Sequence, residues 1–427
     1  MKHRWPLAFG IAVALALPAL AGAQTYPEPK DPGKVTPRPK GPFHTYTVCK
    51  RGCDFRKIQA AVNKAKAGDK VKIKSGTYRE AVKVDARKSY LRIVGNPKSP
   101  RKVILDGRNK GQNGIFVNGA DEVTIDGVMA RNYNGNGFFA VNVVGYTMNH
   151  LVAEKTGTYG LYAFNSKGGT MENSEAYYVN DGAFYIGQTP QQAKPIRSIV
   201  RNVDGWGSPI GFSATNMRYV TITKSRFYNN AAGIIPNSID SEKFPPEEDN
   251  VIVDNDLFWN NFNFHAGAPF KIRESGTAAL APVGTGIVLV GGHRTRIENN
   301  RIFGNYLSGV GMIEGILNAK NPQARTLVGN TITGNAFGLD GTDLNGHDLA
   351  YDGNGTGNCI ANNTGIQATL PADGSTFATC PFGGANAFSQ DVQNQLLAFI
   401  GAGGLNGWVR HPHAARPGFE PLELYKP

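Results

Sequence analysis

The sequence predicts an all-β solenoid, a single-stranded parallel β-helix with a capping helix near each end, and three observations carry that expectation. A glycine that opens a short apolar strand recurs, in "GFFAVN" at Gly137, "GLYAFN" at Gly160, "GAFYIG" at Gly182, "GFSATN" at Gly211, "GIIPNS" at Gly233, "GIVLVG" at Gly286 and "GVGMIE" at Gly309. A second track runs in register with it, Asp126, Asn149, Asn173, Asn202, Lys224, Asn255, Asn300, Asn330 and Asn363 each ending a short strand. No helical periodicity interrupts these strands. Asn tolerates left-handed backbone, and stacked copies can bond one another's amides. The echo of "RIENNRIFGN" (296–305) in "TLVGNTITGN" (326–335), with Asn300 and Asn305 answered by Asn330 and Asn335, therefore reads as scaffold and not as chemistry.

The elements follow in chain order. Residues 1–23 combine a basic start (Lys2, Arg4), an apolar run and Ala21-Gly22-Ala23, the pattern of a cleaved export signal. Residues 24–43 are a Pro/Lys-rich linker and residues 44–110 the N-terminal cap and first coils. There Asp54 is the expected N-cap of a helix over 54–67, with Phe55, Ile58, Val62 and Ala65 on one face and Gly68 as its left-handed stop. Lys70 to Lys74 and Ala81 to Val84 are read as strands. Residues 111–365 hold the repeats, with an insertion near 264–282, and residues 366–427 a C-terminal cap and tail. In the cap, Phe388, Val392, Leu396 and Ile400 have helical spacing suited to covering an open end of the solenoid. No later apolar run reaches the roughly 20 residues of a membrane helix. A secreted or periplasmic location follows, and four cysteines suit it: proximity pairs Cys49 with Cys53 and Cys359 with Cys380.

The net charge of +12 is unevenly spread, because residues 24–110 hold 23 Lys and Arg against 7 Asp and Glu while residues 111–427 hold 20 against 26. The basic end either attracts an acidic polysaccharide or an anionic surface, or simply solvates an exposed cap. No nucleic-acid partner is expected outside the cell.

"FRKIQAAVNKAKAGDKVKIKSGTYREAV" resembles the N-terminal cap and first coil of the pectin-lyase-like superfamily, which includes pectinesterases, pectate lyases, polygalacturonases and alginate epimerases. The coils resemble its right-handed β-helix repeat over roughly residues 44–365, with an overall likeness to exported bacterial β-helix proteins that have no assigned reaction. The resemblance implies a right-handed β-helix and leaves activity open, since that architecture carries lyases, hydrolases, esterases, epimerases and adhesins. Neither Asn-Thr-Asp with a downstream Asp-Asp and His-Gly nor Arg-x-Pro-x-x-Arg is present, so no catalytic residue is carried over.

In such a coil, residues at one strand position in successive turns lie side by side, so functional groups are sought down columns. Counting from the aligned glycine puts Phe139, Tyr162 and Phe184 outward in adjacent coils, a strip that either stacks on sugar rings or lies under the tail at 404–427. At the strand exit, Asn237, Asp240 and Glu242 meet His293 and Arg294 of the next aligned coil and Glu314 of the one after. Asp240 and Glu242 are the candidate calcium ligands, calcium being the only cofactor suggested. His293, Arg294 and Glu314 are the candidate groups for moving the proton beside a uronate carboxylate. The other reading is a solvated loop around Pro245 to Asp249. Asp181, Tyr185 and Gln188 lie beside that edge, Tyr185 being alternatively a core residue, and His411 and His413 have two-point metal spacing. The expected function is binding of an extended acidic polysaccharide, with lyase or epimerase action on uronate chains as the alternative.

Overall fold

The computed structural model describes residues 31–262, 281–316, 318–339 and 341–402. The expected signal at 1–23, most of the insertion, the tail at 404–427, His411 and His413 lie outside the described residues. The chain winds as a parallel β-helix, its strands forming a twenty-stranded and an eleven-stranded sheet plus one two-stranded pair. Two long strands, Thr170–Tyr177 and Ser198–Trp206, join two faces of the coil into the larger sheet. Alternation decides which side chains enter the core. On one inward column Ile125, Met148, Met171, Val200, Ile222, Ile252, Ile297 and Ile332 stack in register through eight coils. All are at most 1% exposed.

Each coil turns on a residue that accepts left-handed backbone. Asn173, Asn202, Lys224, Asp254 and Asn299 have φ of 49°, 51°, 49°, 57° and 52°. This column corrects the expected turn track at Asp126 and Asn149, where Gly127 (φ 68°) and His150 (φ 47°) are the left-handed residues, and again beyond Lys224. The strand Arg296–Glu298 pairs with Thr331–Thr333, and Arg301–Phe303 with Ala336–Phe337, so the coil after "RIENNRIFGN" begins at Thr331. Asn300 therefore stacks on Asn335 and not on Asn330, the two amides bonding at 2.9 Å. Buried amide ladders run Asn255–Asn300–Asn335–Asn363, Asn230–Asn260–Asn305–Asn345 and Asn330–Asn358–Asn386. A fourth, Asn149–Asn173–Asn202, lies on the exposed surface.

The eleven-stranded sheet contains a second slip. Leu161 pairs with Phe184 and Tyr162 with Tyr185, so Gly182 is not the counterpart of Gly160. Ala183 is, and the tight inward column runs Gly137, Gly160, Ala183, Gly211, Gly233, Gly286 and Gly309. A Cβ on Gly233 would stand 2.4 Å from the Gly286 carbonyl oxygen, which is why coils this close select glycine there.

The N-terminal helix is Ile58–Lys64, shorter than expected, and buries Ile58, Ala61 and Val62. Asp54 is not its cap: that carboxylate accepts from the Thr47 backbone and hydroxyl. Glu80 caps it instead, accepting from the amides of Ile58 (2.9 Å) and Gln59 (3.1 Å). The C-terminal helix Gln390–Ala402 lies along the outer face of the eleven-stranded sheet, a correction to its expected place on the open end. Its Val392 and Leu396 pack with Ile235, Val288, Ile313 and Ala350 there, while Phe388 is exposed. Disulfides join Cys49 to Cys53 and Cys359 to Cys380 with Cα separations of 5.6 and 5.0 Å. They fit an oxidising compartment such as the periplasm or cell exterior. No helix among the described residues is long and apolar enough to cross a membrane.

Candidate functional site

The outer face of the eleven-stranded sheet changes character along the rod. In the first coils its central column is aromatic: Phe116, Phe139, Tyr162 and Tyr185 occupy one register. Phe184 belongs to the inward column with Leu161 and Phe212, so the expected strip takes Tyr185 in its place. The rings contact one another, Phe139 and Tyr162 stacked with centroids 4.2 Å apart and planes within 6°, and Tyr162 meeting Tyr185 edge-on at 4.9 Å. Phe139 and Tyr162 are 1% and 2% exposed, so their faces are packed and not offered to a sugar. In the last coils the same column is Ile235, Val288, Gly311 and Ala350, beneath the C-terminal helix.

Between these apolar stretches lies a polar island, where Tyr185 is followed in its column by Ser213 and, two residues on, Gly187 by Thr215. A loop from Ser238 to Pro246 folds back over it. Asn216 fixes that loop, its Nδ2 donating to the carbonyls of Ile239, Glu242 and Lys243 at 3.0, 3.0 and 3.1 Å. Gln188 Oε1 accepts from the Lys243 amide at 2.7 Å. Arg218, 1% exposed, donates to the carbonyls of Thr189 and Phe244 and pairs with Glu248. With its carbonyls gathered inward, the loop delivers the Glu242 side chain to the sheet.

There the Tyr185 hydroxyl donates to Glu242 Oε1 at 2.6 Å. Glu242 is exposed along part of its stem, but its Oε2 is shut from solvent and has no partner among the described residues. Burial is the largest cause that raises its carboxyl to about 8; the Asp181 carboxylate pushes the same way and the Tyr185 hydrogen bond opposes it. Tyr185 is raised well above its ordinary value, by burial first and by Glu242 next. The carboxyl is thus the partner that gains and loses a proton near neutrality, and the phenol stays protonated. Gln188 Nε2 and Thr189 Oγ1 are likewise buried and unpaired among the described residues. Buried polar atoms are nearly always paired, and here three such atoms, of Glu242, Gln188 and Thr189, gather about one loop.

The expected strand-exit cluster does not form as one group. Asp240 turns away from Glu242, accepting from the Lys320 amide (2.6 Å) and Asn321 Nδ2 (3.3 Å). Those two carboxylates therefore do not make one calcium site, and no group of three or more His, Cys, Asp or Glu suited to a metal occurs among the described residues. Arg294 is held by Asp249 (2.7 Å) and Glu248 (2.7 Å), which makes it a structural cation. His293 stacks in register on Glu248, and burial holds its imidazole below the ordinary value. Glu314 pairs with Arg325 at 2.9 Å and accepts from Gln393 of the C-terminal helix, which ties that helix down. The Pro245 to Asp249 stretch is no exposed excursion, since Glu247 is fully buried and Glu248 9% exposed. Asn237 stands at the end of its strand, its Oδ1 unpaired among the described residues. The structure brings Asp181, Tyr185, Gln188 and Glu242 near one another, with Glu242 bonded to Tyr185 and not set beside Asp240 as a calcium ligand. The expectation missed Asn216 and Arg218, whose only sequence signal is polarity amid the apolar run "NMRYV".

A groove of about 480 Å³ lies elsewhere, on the twenty-stranded sheet, lined by Asp204, Lys224, Arg226, Asp256 and Arg301 among others. Its arginines are already satisfied, Arg226 by Asp204 and Arg301 by Asp256, so it brings no reactive group together.

No family model matches the sequence, and no match is found among curated proteins. Solved structures do match. The A-module of the Azotobacter vinelandii mannuronan C-5 epimerase AlgE4 is 14% identical with a TM-score of 0.52, over 73% of this chain and 92% of that one. The A-module of AlgE6 from the same organism is 14% identical with a TM-score of 0.50, over 73% and 90%. At this identity the likeness is one of fold alone: the chain is a right-handed parallel β-helix.

Proposed function

We propose that this protein acts on an extended, uronate-containing polysaccharide by proton transfer at Glu242, with Tyr185 as the hydrogen-bonding partner that orients it. The observation that carries this reading is a single one. A carboxyl raised to about 8, bonded to a tyrosine at 2.6 Å, keeps its second oxygen enclosed and unpaired among the described residues. A general base is most effective when its pKa lies near the working pH. The sugar carbon beside a uronate carboxylate carries a proton that such a base can take. As Glu242 takes it, the electron pair left behind spreads into the adjacent carboxylate. Return of a proton to the other face inverts the centre, whereas loss of the neighbouring glycosidic oxygen with a proton gives an unsaturated uronate. Both outcomes share the first step. Gln188, with an unpaired amide nitrogen next to the Glu242 loop, is suited to donate to the charge that develops. The two similar structures whose names specify mannuronan epimerases support a uronan as substrate class.

The test is incubation with alginate, pectate and a neutral glucan, with and without calcium, following unsaturated uronate by absorbance and chain length by chromatography. The proposal expects conversion of a uronan, abolished by Glu242→Gln with binding retained. A Glu242→Gln protein as active as the wild type would remove the site. Non-catalytic polysaccharide binding is the second reading, favoured by the burial of Asp181 and Tyr185, which are 3% and 1% exposed. Chains bound but left unaltered would select it.

A further inference from the structure

The first coils carry cations that no acid among the described residues neutralises. Residues 31–110 hold 22 Lys and Arg against 6 Asp and Glu, and every one of those acids is engaged. Asp31 pairs with Lys167, Asp85 with Arg87 and Asp106 with Arg131. Asp54 accepts from Thr47, Asp69 from the amides of His44 and Lys66, and Glu80 caps the N-terminal helix. Farther along the rod the pattern reverses. Arg201, Arg226, Arg294, Arg301 and Arg325 each pair with a carboxylate. Lys70, Lys72, Lys74 and Arg92 have no ion-pair partner among the described residues.

Their placement is ordered. In the strand Lys70–Ile73 the core takes Val71 and Ile73, which sends Lys70 and Lys72 outward. Arg92 opens the next strand of the same sheet with Ile93 inward, and the register sets Lys70 directly opposite Arg92. Like charges facing each other across neighbouring strands, about 4.8 Å apart, repel and destabilise the sheet. The column containing them runs Thr45, Lys70, Arg92, Thr124, Thr147, a line of hydroxyls and cations parallel to the axis of the coil.

We infer that this column is a binding surface for a linear polyanionic polysaccharide, separate from the Tyr185–Glu242 site. Repeated carboxylates along one strand of polymer can meet successive cations one coil apart, while the flanking threonines serve sugar hydroxyls. A lipid surface is a poorer fit, since the column is a narrow line and offers no apolar side chain for insertion. The inference does not depend on proton transfer at Glu242: a cap that holds the polymer serves a binding protein and an enzyme alike.

The probe is polygalacturonate, titrated calorimetrically into wild type and Lys70→Gln/Lys72→Gln/Arg92→Gln at several sodium chloride concentrations. Dextran serves as the neutral control and phosphatidylglycerol vesicles as the competing surface. Circular dichroism and melting establish that the triple variant is folded, and Lys110→Gln controls for loss of a cation elsewhere. Expected are a Kd for polygalacturonate at least tenfold weaker in the triple variant, a shallower salt dependence, and no effect of Lys110→Gln. Equal affinities and salt slopes for wild type and triple variant would overturn the inference. So would binding of the wild type to vesicles and not to polygalacturonate. Repeating the titration in Glu242→Gln separates the two ideas, since the column should work unchanged in that background.

Discussion

Asn300 shows how one side chain serves this scaffold. It is fully buried, accepts from the amide and side chain of Asn255, and donates to Asn335 Oδ1 and the Ile252 carbonyl. Asn300→Ala strands both neighbours at once and should cost about 1 to 3 kcal/mol in urea unfolding. Asn149→Ala, in the exposed ladder and at a position without left-handed backbone, leaves groups that water can satisfy and should cost well under half as much. Equal losses would contradict the assignment of the buried ladder as the stabilising one. At the site, Tyr185 offers a comparably local prediction. Its hydrogen bond lowers the Glu242 carboxyl, opposing burial. Tyr185→Phe should therefore raise that carboxyl further and move the ascending limb of the rate profile to higher pH. A lower rate with an unmoved limb would make Tyr185 merely structural.

At the scale of elements, the architecture was legible because stacking repeats one inward pattern, and its errors are errors of register. A gap of 29 residues between Gly182 and Gly211 and a gap of 22 before it look alike to a count that anchors on glycine. Packing distinguishes them, since Ala183 fills the tight column and thereby puts Tyr185, not Phe184, on the outside. A slip of one residue exchanges the two faces of a strand. The thirty-residue echo failed for a related reason. Asn recurs in two turns of each coil, so Asn300 resembles Asn330 in sequence while Asn335 is its neighbour in space. Gln188 and Glu242 could be named from their position near the strand exits, and Asp181 from its place just before the strand Gly182–Gly187. That Asp240 turns one way and Glu242 the other depends on Asn216 and Gln188 gripping the loop, which no spacing reveals. The N-terminal helix gives the element-scale prediction. Its cap is Glu80, distant in sequence, so Glu80→Ala should lower stability by about 1 kcal/mol, read by thermal melting, whereas Asp54→Ala should leave the helix amides satisfied. A larger effect at Asp54 on helix content would reverse the assignment.

For the molecule as a whole, two enclosed carboxyls set how stability depends on pH. Glu242 and Glu247 are both raised to about 8, in each case chiefly by burial. The folded state therefore holds protons that the unfolded chain has released, from the ordinary carboxylate range up to about pH 8. Stability is greatest at the acidic side of that window and falls as pH rises through it. For the fully buried Glu247 the slope is about 1.4 kcal/mol per pH unit while its proton is retained only by the folded state. Urea midpoints across pH 5 to 9 should decline accordingly, and Glu247→Gln should flatten the decline. A midpoint that climbs over this range would contradict the buried-acid account. The same property makes Glu242 available as a base as pH approaches 8.

The most direct test of the central claim is transfer of solvent deuterium. Purified protein in deuterated buffer at pH 8 is incubated with alginate and, separately, with pectate, and the carbon next to each carboxylate is followed by NMR. The account predicts loss of that carbon's proton signal on one of these polymers, through deuterium incorporation or elimination, by wild type and not by Glu242→Gln. Full retention of the proton on both polymers, under conditions in which the protein demonstrably binds them, would contradict it.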